Sequence, residues 1–445
     1  MKLLSAGHCL LVTLVVTAAP AMSDAIFPYK ATTAVLPNGL KVIMIPMDAP
    51  GLVSYYSVVR TGSRDEVEPG RSGYAHFFEH MMFRGTKKYP GPVYDSIVTS
   101  IGASANAYTS DDVTAYHLNF AAEDLPKVIE VESDRFQNLS YDLPAFQTES
   151  GAIYGEYRKG VTNPFEVLDE KMRDIAFDVH TYKHTTIGFE RDIKAMPEGF
   201  EYSQGFFRKF YRPENVVLLI VGDIKPDAVL KLVKKYYGPW EKGYQPPDVK
   251  QEPPQAAARS GEVSYPGKTL PILDMGYKGD AFDPANRDFV AAEIFGELAF
   301  GSTSDLYKRL YIKEQRVDAL QASIPPNRDM PLFEIFARIK KEDDIGPIRA
   351  EIEKTIAQFQ STPVDPGRLD AVKKRSRYEF LMSLDTPDRV AGRLARIVAI
   401  TGGIEAIDAY YTTLAKITPD DVMHAANKYF VPARCTTVIL KGVAQ

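Results

Sequence analysis

FYRPENVVLLIVG, residues 210–222, returns near the end of the chain as YFVPARCTTVILKG, residues 429–442. Each copy runs an aromatic pair into a proline and then into an apolar strand, and Pro213 and Pro432 stand 432 − 213 = 219 positions apart. A weaker echo sets MMFRGT, 81–86, against LAFGST, 298–303. Together they indicate a duplication. In both halves a helical pattern (GFFRKFY; VMHAANKYF) leads into the Pro-containing turn. Strand runs such as GLKVIMI, VSYYSVV, VTAYHLNF and VVLLIVG mix with long helices without a regular βαβ alternation. That pattern predicts an α+β fold rather than a doubly wound sheet. Between the halves, residues 245–266 concentrate five of the 31 prolines without apolar periodicity, and read as a linker joining domains over 24–244 and 267–445.

A chain of 445 residues is long enough for two such cores. The 45% hydrophobic and 25% charged fractions exclude a disordered or collagenous chain, and 53 − 58 = −5 net charges remove the electrostatic case for a nucleic-acid partner. Lys2, an apolar run from Cys9 to Ala19, and the Ala-x-Ala spacing of Ala19 and Ala21 form a signal-peptide layout over residues 1–23. Eleven apolar residues are too few to cross a bilayer core that needs about 20, so stable membrane insertion is not expected. The expected protein is exported, and periplasmic in a Gram-negative source. With Cys9 in the leader, only Cys435 remains, in the apolar run CTTVIL, where a small buried side chain is the natural reading.

The chemistry lies in GYAHFFEHMMFRGT, 73–86. On a 3.6-residue period His76 and His80 project one above the other from one helix face, with Glu79 beside them. Two imidazoles so placed suit one borderline-soft cation, usually zinc, and Glu79 suits the role of a base toward water. A catalytic zinc commonly takes a third protein ligand. The acidic helix FQTESGAIYGEYRKG offers two candidates, Glu149 and Glu156, seven residues apart on roughly one face. His117, alternating within VTAYHLNF, reads as one face of a strand. His180 and His184 share the i, i+4 spacing but lie among threonines with no acidic residue at the matching position.

Six ordered blocks, LPNGLKV (36–42), GSRDE (62–66), the His76–Thr86 segment, NAYTS (106–110), Glu149 to Glu156, and YRPENVVLLIVGDI (211–224), resemble the insulinase/pitrilysin family of inverted zincins. The likeness is to its half-length, processing-peptidase-like branch, and to the zinc-bearing subunit of a two-subunit peptidase. It implies one zinc per chain held by His76, His80 and Glu156, Glu79 as general base, and Glu149 as a supporting carboxylate. It also implies that Asn106 and Ala107, on an edge strand, pair with an extended substrate backbone. The implied architecture is two homologous domains, each a mainly antiparallel sheet packed with helices, forming half of a clam-shell chamber.

The chain departs from the family pattern in two places. Glu293, Gly296 and Glu297 stand where the second half would carry metal residues, and Tyr311 and Asp318 stand where family members have an Arg and a Tyr that grip substrate. Arg309 and Arg316 repeat the spacing nearby, but neither supplies the tyrosine. The resemblance thus implies a heterodimer in which a homologous subunit supplies the missing pair. The expected function is a zinc endopeptidase that cleaves peptides or unfolded segments through zinc-activated water. The alternative is a noncatalytic structural or assembly subunit on the same fold.

Overall fold

The computed structural model describes residues 25–443, so the signal-peptide layout and Cys9 lie outside the described residues. The first sheet is built from β1 (Thr32–Val35), β2 (Lys41–Pro46), β3 (Leu52–Val59), β4 (Ser104–Thr109), β5 (Thr114–Ala121) and β6 (Val216–Gly222), in the order β1-β2-β6-β3-β5-β4. The second holds β7 (Arg259–Tyr265), β8 (Ile272–Lys278), β9 (Val317–Ser323), β10 (Leu332–Ile339) and β11 (Cys435–Gly442), in the order β7-β11-β8-β10-β9. Apart from β1 the two orders superimpose. In each, the echoed strand (β6 or β11) sits inside the sheet with a parallel neighbour on one side and an antiparallel one on the other. The α+β class and the duplication are therefore visible in the hydrogen-bond ladder itself.

The continuous apolar run of β6 reflects cover on both faces. Leu218 and Ile220 join the cluster formed with the first half's own helices, whereas Val217, Leu219 and Val221 join a cluster with Val390, Leu394 and Val398. Those last residues belong to a helix of the second half, Pro387–Thr401. The exchange is reciprocal. Helix Pro164–Ala176 of the first half places Leu168, Met172 and Ala176 against Ile272, Val438 and Leu440 of the second sheet. It approaches β7 so closely that a Cβ on Gly261 would lie 2.3 Å from Ile175 Cδ1. The domains meet through helices each lends to the other, and α-helical periodicity alone could not say whose sheet each would cover.

One boundary moves. Arg259–Tyr265, within the stretch read as linker, is β7, an edge strand whose backbone is paired along one side by parallel β11. The Pro-rich remainder is anchored at Glu252, whose carboxylate accepts the amides of Asp178, Val179 and His180 at 2.8, 3.0 and 3.1 Å. Lys278, at the end of β8, lies 3.2 Å from Glu252 and 3.6 Å over the Phe177 ring, and burial pushes its amine down to about 8. An unfolded lysine titrates near 10.4. Between those values the unfolded chain binds more protons, so this group makes stability rise with pH from about 8 to about 10.4, and contributes no slope below 8. Urea midpoints across that window should show a slope worth on the order of 3 kcal/mol that Lys278→Met abolishes. An unchanged slope in the variant would remove Lys278 as its source.

Candidate metal centre

Helix α1, Tyr74–Met81, buries Tyr74, Ala75, Phe77, Phe78 and Met81 and leaves His76, Glu79 and His80 on the other side. The aromatic wall, with Phe78 stacked on Phe206 at 5.3 Å between centroids, fixes the helix's rotation about its axis and so the direction of the three polar side chains. At its start Gly73 has φ +92°, and a Cβ there would meet the Ile187 carbonyl at 2.6 Å, so only glycine fits.

A second helix, α2 (Leu143–Gly160), capped by the Asp142 side chain on the Ala145 amide, carries both acidic candidates toward α1. Glu156 Oε2 lies 3.4 Å from His76 Nε2, and its Oε1 lies 3.5 Å from His80 Nε2. The ligand atoms of His76, His80 and Glu156 all fall within 4.8 Å of one another, the one such group of His, Cys, Asp or Glu found among the described residues. A tetrahedral ion with bonds of about 2.0 to 2.1 Å needs ligand atoms about 3.3 Å apart, close to the two separations between Glu156 and the histidines. Burial, with His80 adding to it, pushes His76 down to about 4, and His76 Nδ1 is buried without a hydrogen-bond partner. The imidazole is therefore neutral, the form that binds metal, and Nε2 is the nitrogen it turns to Glu156. On these observations the residues fit a zinc ion.

Glu149 occupies a different position. It is buried, 3.5 Å from the far nitrogen of His80, Nδ1, and its other oxygen is ion-paired with Arg84. A carboxylate behind an imidazole orients the ring and raises its basicity. Glu79 points to the side of this group, where the Thr109 hydroxyl donates to its Oε2 at 2.7 Å. Burial raises the Glu79 carboxyl above the usual range, while the Thr109 bond and His80 pull it back. Thr109 and Arg84 were not singled out from sequence, although Thr109 lies inside the NAYTS block and Arg84 inside MMFRGT.

Thr109 ends β4, which pairs only with β5 and leaves the sheet's edge beside α1. Asn106 lies opposite His117 and Ala107 opposite Tyr116, and the Asn106 side chain accepts the Ala107 amide at 2.9 Å. His117 is a strand residue stacked on Tyr56, with ring centroids 4.7 Å apart. His180 and His184 flank a single 3-10 turn; the first bonds Asp329 at 3.0 Å and the second the Thr185 carbonyl at 2.9 Å, so their spacing gathers no metal group.

The second half builds the same corner with other chemistry. Glu293 and Glu297 on helix Arg287–Phe300 take the places of the histidines, and Arg375 of helix Pro366–Met382 pairs with Glu297 and lies 3.6 Å from Glu379. Further on, residues 308–313 form a π-helical turn followed by Gln315 at φ +54°, the one non-glycine with positive φ among the described residues. Tyr311 lies here, stacked on Tyr307 at 4.7 Å, and Asp318 is bound by Arg338 at 2.6 and 2.5 Å.

Comparison with known proteins agrees with this geometry. Residues 46–189 match the family model described as insulinase (peptidase family M16), and residues 201–376 match the one described as peptidase M16 inactive domain. The zinc protease PqqE of Helicobacter pylori is 28% identical, over 99% of this chain and 98% of its own length. The mitochondrial-processing peptidase subunit beta of Saccharomyces cerevisiae is 24% identical, over 89% of this chain and 87% of its own. The crystal structure of a protease from Helicobacter pylori superimposes with a TM-score of 0.87 at 27% identity, covering 93% of this chain and 99% of that one.

Proposed function

The chain belongs to the insulinase family of peptidases, and from that premise we propose that it is a zinc-dependent endopeptidase acting on peptides or unfolded segments. The observation that carries the reading is the His76–His80–Glu156 group, whose ligand atoms converge within 4.8 Å with Glu79 alongside. Zinc bound there supplies a Lewis acid that polarises a carbonyl and makes water nucleophilic near neutral pH. His76, His80 and Glu156 hold the ion. Glu149 steadies His80 from behind, with Arg84 balancing its charge. Glu79, turned by Thr109, accepts a proton from the attacking water and returns it to the leaving amine. The free edge of β4 at Asn106 and Ala107 receives the extended substrate backbone.

Under this reading the protein is exported, as residues 1–23 suggest, and no helix among the described residues is long and apolar enough to cross a membrane. It forms half of a chamber closed by a homologous partner. The replaced Arg/Tyr pair favours a second reading, a noncatalytic subunit, which would leave the metal group without use. Stoichiometric zinc in purified protein, with chelator-sensitive cleavage of a quenched peptide, decides between them; metal-free protein with no cleavage in any pairing would favour the second.

The two acidic residues should fail differently. Glu156→Gln removes a charged ligand and should empty the site. Glu149→Gln should leave zinc in place and cost about 10- to 100-fold in affinity or activity, the usual effect of removing a group that orients a ligand. Metal analysis of both variants checks this, and an empty Glu149→Gln beside a full Glu156→Gln would exchange the assignments.

A further inference from the structure

We propose that the loop Asn327–Asp329 of the second domain tethers α1 and Glu79 of the first, with Arg328, Asp329 and Glu66 as positioning residues. The inference rests on the peptidase reading for its consequence, but its structural content is independent of it.

Helix α1 spans eight residues, too few to hold its own shape, and its N-cap, Gly73, has no side chain to accept its free amides. That task falls to Glu66 of the GSRDE block. Its buried carboxylate accepts the Gly73 amide at 2.7 Å and the Ala75 amide at 2.6 Å, one residue before His76. A carboxylate at this end also complements the helix dipole. Glu66 is in turn set by the turn before it, and the second domain clamps that turn. Arg64 donates to Asp329 Oδ2 at 2.5 Å and to Asp65 at 3.0 Å, its amide bonds the Asp111 carbonyl at 2.8 Å, and its carbonyl accepts from Thr181 at 2.6 Å.

A second arm reaches Glu79. The Arg328 guanidinium donates to the carbonyls of Arg60 at 2.5 Å and Asp112 at 2.9 Å, and its amide bonds the Asp112 carboxylate at 3.2 Å. Tyr182 donates to Asp112 at 2.9 Å and accepts the Asp329 amide at 3.3 Å, closing the network. Residues 110–112 follow Thr109 directly, and Thr109 holds Glu79. One loop of the domain without the metal thus governs both the start of the metal helix and the end of the strand that aims the base. Hydrogen bonds gathered this densely fix the segments they join, although Arg328 Nε is buried without a partner, and a site loosened by about 0.5 to 1 Å loses function.

The test uses the full chain. Asp329→Asn weakens the bond to Arg64, and Arg328→Met removes the Nη2 donor that bonds both carbonyls. In folded protein, judged by circular dichroism, each should speed amide hydrogen exchange of residues 73–80 about tenfold. Each should also speed zinc release to a chelator about tenfold and lower kcat about tenfold or more, with KM within threefold. Arg349→Ala, which removes an exposed ion pair with Glu353, should change none of these. Unaltered exchange and zinc release in both variants would overturn the tether. If either variant fails to fold, Tyr182→Phe, which deletes one hydroxyl from the network, decides by the same two readouts. Should the unaltered chain bind no zinc and cleave nothing, the peptidase reading falls, while exchange in α1 still judges the tether.

Discussion

Glu79→Gln should bind zinc as the unaltered chain does and turn over at least about 10²- to 10⁴-fold more slowly, the range typical of losing a general base. The variant is nearly isosteric. Its amide oxygen can still accept from Thr109, as the carboxylate does at 2.7 Å, and the ligand atoms of His76, His80 and Glu156 are untouched. What disappears is the capacity to take a proton from water and pass it on, because an amide is not a base near neutral pH. Metal analysis and single-turnover cleavage of a quenched peptide measure the two halves of the claim separately. Near-normal turnover with zinc still bound would strip Glu79 of its role; loss of zinc together with turnover would mean that it holds the site rather than working in it.

The ease with which α1 could be read from sequence has a physical basis. Histidines at i and i+4 with a carboxylate between them, in a run otherwise apolar, leave few structures in which those charges escape desolvation unless they share a site. The third ligand was harder. Glu149 and Glu156 lie on one face of α2 and periodicity treats them alike; what separates them is Arg84 pairing with Glu149 beneath His80, a contact between distant segments. The repeated strands announced the duplication because β6 and β11 are inner strands covered on both faces, and double cover favours apolar side chains on both. The crossed helices left no such mark. An amphipathic stripe such as Val390, Leu394 and Val398 states that a helix is covered on one side, and nothing in its spacing says that the cover is β6 rather than a strand of its own half. β7 was hidden for a related reason: RSGEVSY carries little apolar weight, and its strand state comes from β11 as a partner. Thr109 and Glu66 lay inside quoted blocks, but a hydroxyl or a carboxylate gains its meaning only from the Glu79 oxygen or the α1 amides it meets.

Mixed with a homologous subunit that carries the Arg and Tyr absent here, this chain should gain sharply in kcat/KM over the chain alone. Both arginines near the expected positions are engaged within this chain. Arg309 is ion-paired with Glu351, and Arg316 bonds Asp344 at 2.8 Å and Glu351 at 3.1 Å. Tyr311 is 40% exposed and stacked on Tyr307, so it offers a ring and one hydroxyl but no charged fork for a peptide carbonyl or carboxylate. Asp318 has the wrong sign, and Arg338 already neutralises it. If, as proposed, the chain holds zinc and places a base but does not clamp the substrate, it lacks a positioning part of catalysis, where effective molarities of about 10⁵ M or more are won. The partner's arginine is therefore the residue to remove. Its replacement by alanine should abolish the gain on mixing and leave zinc in this chain unchanged, because His76, His80 and Glu156 all belong to it. Native mass spectrometry reports the assembly and peptide cleavage its consequence. If the purified chain already cleaves at full rate and no partner alters it, the trans assignment is wrong, and Arg309 must leave Glu351 to complete the site in cis.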